Sequence, residues 1–129
     1  MLKGLFPRLF GNFREGGIVH AKFTQTAGPV YTLNSNQGSA NYLLTLVNTG
    51  TGLYTLTVPG GFRNVAVLAC LHVNIAAPGT PASYLKFYPL IITPGVGTIT
   101  LTSLNSAATE IAANPANTDQ VHVSLYVDK

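Results

Sequence analysis

Val121-His122-Val123-Ser124-Leu125-Tyr126-Val127 alternates an aliphatic residue with a polar or aromatic one. A period of two puts Val121, Val123, Leu125 and Val127 on one side of an extended chain, and His122, Ser124, Tyr126 and Asp128 on the other. The pattern predicts a β-strand with one face in a core and an aromatic-polar face outside it. Upstream, Tyr54, Leu56 and Val58 alternate in the same way with Leu53, Thr55 and Thr57. Val65-Ala66-Val67-Leu68-Ala69-Cys70-Leu71 is apolar on both faces, as expected for a central strand covered twice. In a small single domain, a second cover often comes from another subunit.

Around these segments lie further runs rich in β-branched and aromatic residues. The predicted strands are Ile18–Thr26, Val30–Leu33, Tyr42–Asn48, Leu53–Val58, Val65–Asn74, Tyr84–Ile92, Thr98–Thr102 and Val121–Val127. Turn formers separate them: Ala27-Gly28-Pro29, Asn34-Ser35-Asn36, Thr49-Gly50-Thr51-Gly52, Pro59-Gly60-Gly61, Pro78-Gly79 and Pro94-Gly95. Short strands punctuated this regularly indicate an all-β fold, a single antiparallel β-sandwich of the jelly-roll kind. Leu104–Gln120 reads as a long loop before the last strand; a helical turn over Ala107–Ala113, stopped by Asn114-Pro115, is the alternative there. No internal repeat is seen. The chain divides into an N-terminal arm, residues 1–17, extended or briefly helical, and a β-sandwich domain, residues 18–129.

The 129 residues suffice for one modest domain. Only 9% are charged, against roughly 25% in ordinary soluble domains, and 47% are hydrophobic. Mean hydropathy is +0.30. This excludes a disordered chain, which needs low hydrophobicity and high charge, and a helical bundle, which needs abundant Glu, Lys, Arg and Leu. So little surface charge points to a surface hidden against neighbours. The net charge is +3, and four of the seven bases lie before residue 23, so the body has no basic run of the kind that tracks phosphates. Nucleic acid is therefore not an expected partner. The single cysteine, Cys70, has no internal disulfide partner and reads as a small buried hydrophobe rather than a reactive thiol. The apolar stretch from Val65 to Pro78 is broken by His72 and Asn74 and falls short of the ~20 residues of a membrane span. The N-terminus has bases but no continuous apolar core or small-residue cleavage site, so no secretory signal is expected.

In the arm, Leu2, Leu5, Phe6, Leu9, Phe10 and Phe13 follow helical spacing, with Lys3, Arg8 and Arg14 mostly elsewhere. Pro7 breaks a helix interior, so either a helix starts near it or the arm is irregular. Burying each large apolar side chain is worth about 1.5–3 kcal/mol, so something covers them. Three covers compete: its own domain or a sister subunit, a different protein, or a membrane surface. Gly4, Gly11 and Pro7 weigh against the last.

No residues assemble into a recognisable catalytic site. Four acids are available, and Glu110 and Asp119 share the long loop, where solvated positions are expected; Asp119 fits a turn closing onto the final strand. His20, His72 and His122 lack metal-ligand spacing, and His122 is expected on an exposed or interface face. A nucleophile elbow, a P-loop and a dinucleotide-binding glycine motif are absent. The expectation is a protein that is not an enzyme, with no cofactor and no metal.

The stretch Gly52-Leu53-Tyr54-Thr55-Leu56-Thr57-Val58-Pro59-Gly60-Gly61-Phe62-Arg63-Asn64-Val65 resembles small β-jelly-roll domains of phage virion proteins. These are head-decoration (cement), head-fibre and tail-fibre-tip modules, often trimers broadly similar to the tumour-necrosis-factor/C1q-like jelly roll. Thr98-Ile99-Thr100-Leu101-Thr102, then a variable loop, Asp119 and the closing strand, is also similar. The resemblance covers about residues 40–129 and rests on patterns rather than catalytic signatures. It implies a homotrimer in a virion, assembled in a bacterial cytoplasm, with Tyr54, Val67, Tyr88, His122 and Tyr126 as candidate oligomer contacts. No fibre shaft accompanies the domain, so the resemblance points to a capsid decoration protein. Its arm residues Leu2, Lys3, Leu5, Phe6, Arg8, Leu9, Phe10, Phe13 and Arg14 would grip the major capsid protein or another virion protein. The alternative is a receptor- or glycan-binding tip module using Tyr84, Phe87, Tyr88 and Tyr126.

Overall fold

The computed structural model describes residues 16–26, 31–37, 44–73, 75, 84–105 and 111–128. The arm residues Leu2 to Arg14 lie outside them. The described residues form strands β1 (Gly16–Thr24), β2 (Thr32–Gln37), β3 (Thr45–Gly50), β4 (Leu53–Thr57), β5 (Asn64–Val73), β6 (Leu85–Thr93), β7 (Thr98–Asn105) and β8 (Gln120–Asp128). They make one antiparallel sheet in the order β2-β1-β8-β5-β6-β7-β4-β3. The sheet curls until β1, β8 and β5 share a single core with β3, β4, β6 and β7.

Alternation decides which side chains fill that core. Val121, Val123, Leu125 and Val127 of β8 are buried, as are Tyr54 and Leu56 of β4 with Val58 just after it. Val19, Ala21 and Phe23 line the same interior from β1, and Ile99 and Leu101 from β7. The two longest ladders, β1 with β8 and β8 with β5, join segments far apart in the chain. The last strand therefore completes the fold by lying between two earlier ones.

One predicted feature differs. Asn34-Ser35-Asn36, expected as a turn, lies inside β2, because β1 supplies a ladder: Lys22 pairs with Ser35 and Phe23 with Leu33, and Asn34 is the bulge residue between. Over the described part of Leu104–Gln120 the chain is the long loop expected, and the alternative of a helical turn within Ala107–Ala113 does not extend through its last residues. Ala112 is bridged to Leu104, and Asn105 N–H donates to Ile111 O (2.9 Å), so this part of the loop runs extended along β7. Residues 106–110, including Glu110, lie outside the described residues.

Glycine is required where strands are pinned end to end. Gly97 has φ +77°, donates to Thr93 O (2.9 Å) and accepts from Val58 N–H (2.7 Å), and a Cβ there would collide with Val58 O. At Gly52, φ +66°, a Cβ would sit 2.7 Å from Ser103 O. Thr118 adopts the same left-handed region at φ +75° despite its branched side chain, a strained position. Its N–H donates to Gln25 O (3.0 Å) and holds the turn onto β1. Thr118→Asn keeps that bond and tolerates the backbone better, so the urea midpoint is expected to rise by the equivalent of about 0.5–1 kcal/mol at unchanged slope. An unchanged or lower midpoint contradicts the strain.

Candidate functional surface

The most elaborate polar site is His72 with Asp119. β5 carries a bulge between Val67 and Ala69, so the inward phase passes from Val65 and Val67 to Cys70 and His72. Leu85 N–H donates to His72 Nδ1 (2.9 Å), which places the ring proton on Nε2, and Nε2–H donates to Asp119 Oδ2 (2.7 Å). Asp119 also accepts from Ala116 N–H at Oδ2 (3.1 Å) and from Ile75 N–H at Oδ1 (3.2 Å). Its own backbone accepts from Gln25 N–H (2.8 Å). The Tyr84 ring meets the imidazole edge-on, centroids 5.9 Å apart. Both side chains of the pair are 1% exposed. Buried this far they present no open face to a substrate, and their bonds tie the end of β5 to the start of β6 and to the loop before β8. Asp119 is thus a buried tie rather than the solvated loop acid expected; it closes the turn before β8, and its carboxylate also binds elsewhere.

A second tie holds the other half of the same loop. Asn114 Oδ1 accepts from Gly52 N–H (2.7 Å), Tyr54 Oη–H (2.7 Å) and Asn48 Nδ2 (3.2 Å). Ser103 Oγ–H donates to Ala113 O, and Ala113 N–H returns a bond to Ser103 O (3.1 Å). Residues 111–119 are strapped down at Ala113 and Asn114 and again at Ala116 and Asp119.

The remaining reactive groups, Cys70 apart, lie on or beside the outer face. His20 Nδ1 is 2.7 Å from Ser124 Oγ across the β1–β8 ladder. Among the described residues no carboxylate orients that imidazole, so the pair lacks the third member of a nucleophilic triad. His122 Nε2 lies 3.1 Å from Gln120 Oε1, and partial burial and the nearby Lys22 hold its imidazole below the usual range. Arg63 pairs with Asp128 (3.0 Å), whose carboxyl its hydrogen bonds hold below the ordinary range. Cys70 packs against the core, and burial pushes its thiol up to about 12, which leaves it unreactive at neutral pH. The described residues contain no group of three or more His, Cys, Asp and Glu placed to hold a metal, and no helix long and apolar enough to cross a membrane. Gly60–Arg63 and Pro94–Gly95 border a shallow depression of about 220 Å³, below the roughly 300 Å³ at which ligand pockets begin.

The oligomer candidates do not share one surface. Tyr54 is fully buried, edge-on to Tyr31 at 5.4 Å, and belongs to the core rather than to an interface. Its place in an alternating strand is equally that of a core residue. Val67 is partly buried against the core, and His122 and Tyr126 are half-buried on the outer face of β8. Tyr88 is exposed on β6. Of the tip-module aromatics, Phe87 is buried and Tyr84 packs on His72.

What stands out at the surface is apolar. Ile18, Leu53, Leu68, Leu71, Ile75, Tyr88, Leu90, Ile91, Ile92, Val96 and Ile111 are each between 40% and 67% exposed. β5 is apolar on both faces as read from the sequence, and its outward Leu68 and Leu71 are exposed, without cover from the described residues.

No protein-family model, no curated protein and no solved structure matches this chain.

Proposed function

We propose that the chain is a structural protein of a phage virion, a capsid decoration or cement protein with a jelly-roll β domain. The domain associates with copies of itself, most simply as a homotrimer, and the arm, residues 1–17, grips the major capsid protein or another virion protein. The observation that supports this best is the exposed aliphatic surface on a domain with so few charges. The polar groups fit the same reading, because the His72–Asp119 and Asn114 ties hold loops and face no cleft. The reading assigns the chain no reaction, cofactor or metal, and places it in the virion after assembly in a bacterial cytoplasm.

Deleting residues 1–17 is expected to leave a folded oligomer that no longer sediments with capsid shells. Undiminished binding by the truncated chain contradicts the proposal. The second reading, a glycan-binding tip module, draws on the exposed ring of Tyr88. It requires binding of the intact oligomer on a glycan array, abolished by Tyr88→Ala.

A further inference from the structure

The outer face of the β1–β8 ladder gathers bases without acids. The ladder runs without a register shift from Gly16–Asp128 to Thr24–Gln120, and within it Lys22 pairs with His122 and His20 with Ser124. Val19, Ala21 and Phe23 of β1 and Val121, Val123 and Leu125 of β8 are buried, so these four alternate residues share the outward side. Residues directly opposite on neighbouring antiparallel strands hold their Cβ atoms ~4.5–5.5 Å apart, and the next such pair lies ~7 Å along the strands. An ammonium, two imidazoles and a hydroxyl therefore stand in one small square. The charge of Lys22 is felt at His122, where together with partial burial it holds the imidazole below the usual range.

No acid of the chain is placed to answer these bases. Asp119 is sealed in its bond to His72, and Asp128 is paired with Arg63. Gly16, the neighbour of Glu15 in sequence, is roughly 20 Å from Lys22 along an extended strand. Ile111, the neighbour of Glu110, is bonded to Asn105 on β7, which β8, β5 and β6 separate from β1 along the sheet and which faces β1 across the core. The flanks are neutral too. In register, β2 sets Ser35 beside Lys22 and Gln37 beside His20, and β5 sets Leu71 beside His122 and Ala69 beside Ser124. Among the described residues Lys22 enters no ion pair.

The donors left over suit a compact anion. His20 spends Nδ1 on Ser124 Oγ (2.7 Å), and its exposed ring keeps Nε2 uncommitted. His122 Nε2–H donates to Gln120 Oε1 (3.1 Å), so Nδ1 is the atom that takes up a proton on acidification. Lys22 carries three N–H donors. An oxyanion with several oxygens can accept from more than one of these groups at once through charge-assisted bonds, and its charge offsets the crowding of Lys22 and His122. Chloride supplies charge at a single point.

We propose that the outer face of the β1–β8 ladder is an oxyanion site, in which Lys22, His20 and His122 hold a sulfate or phosphate group. The proposal stands apart from the virion role and does not depend on it.

The test follows the ring C–H signals of the three histidines of the full-length chain by NMR as sodium sulfate replaces sodium chloride at constant ionic strength, near about pH 6. The His20 and His122 signals are expected to shift and saturate, while that of His72, buried and bound to Leu85 and Asp119, stays in place. Lys22→Gln is expected to weaken sulfate about tenfold, and Lys86→Gln, which removes the same charge from β6, to leave it unchanged. His20→Gln, read at His122, replaces Lys22→Gln should the latter fail to fold by circular dichroism. Sulfate keeps its charge while the imidazoles lose theirs, so affinity is expected to fall as pH rises through their range, for His122 below the usual one. The charged groups facing His122 are Lys22 and His20 of β1; β5 brings none. Phenyl phosphate forms the second arm: tighter binding than sulfate supports a group carried on a larger molecule, and weaker binding supports the free ion. Shifts that never saturate, or that persist undiminished in Lys22→Gln, overturn the site.

Discussion

Asp119→Ala is expected to cost about 3–5 kcal/mol, a large part of the stability of a domain this size. The substitution strands His72 Nε2–H in a buried site and takes the acceptor from two part-buried donors, Ile75 N–H and Ala116 N–H. Each buried donor left without an acceptor costs about 1–3 kcal/mol, partly recovered where the loop loosens enough to admit water. Asp119→Asn is expected to cost less, about 1–3 kcal/mol, because its one oxygen serves one side of the site while its NH₂ group faces a donor on the other. Urea unfolding followed by circular dichroism checks the order, Ala worse than Asn. Midpoints within the equivalent of 0.5 kcal/mol of the unaltered chain for both variants contradict the tie.

Tyr54→Ala is expected to cost about 3–5 kcal/mol through the cavity left in the core, with little effect on association beyond that of instability. Tyr54 touches Tyr31 at 5.4 Å and Phe87 at 5.6 Å between ring centroids, so removing the ring empties the meeting point of β4 and β6. Tyr54→Phe keeps the ring and loses the bond to Asn114 Oδ1, which still accepts from Gly52 and Asn48; about 1 kcal/mol is expected. Thermal unfolding of both variants, beside their mass in solution, separates core from interface. An Ala variant that stays stable but dissociates would return Tyr54 to an interface.

Seven of the eight strands are legible in the residues because most of them are strongly patterned; β2 is not, since the predicted Val30–Leu33 shares only Thr32 and Leu33 with it and the predicted turn Asn34-Ser35-Asn36 lies inside it. The Val121–Val127 alternation marks both faces of β8, and the Tyr54, Leu56, Val58 phase marks the inward side of the β4 segment. What escapes a reading of pattern is where the phase jumps. Strict alternation from Val65 would send His72 outward; the bulge at Leu68 turns it inward to meet Asp119. Neither residue signals the other, since 47 positions separate them and only the β5–β8 register brings them together. Asn114, inside a segment without periodicity, becomes a three-donor acceptor only once the β3–β4 turn is placed beneath it.

A β5 strand apolar on both faces, a stretch with one charged residue between Arg63 and Glu110, and polar groups that hold loops are the features on which the proposed role as a subunit of a larger assembly rests. The mass of the purified full-length chain in solution, measured by multi-angle light scattering over a hundredfold range of concentration, tests that most directly. A stable multiple of 13.6 kDa is predicted, independent of concentration over most of the range. A single copy at every concentration would contradict it.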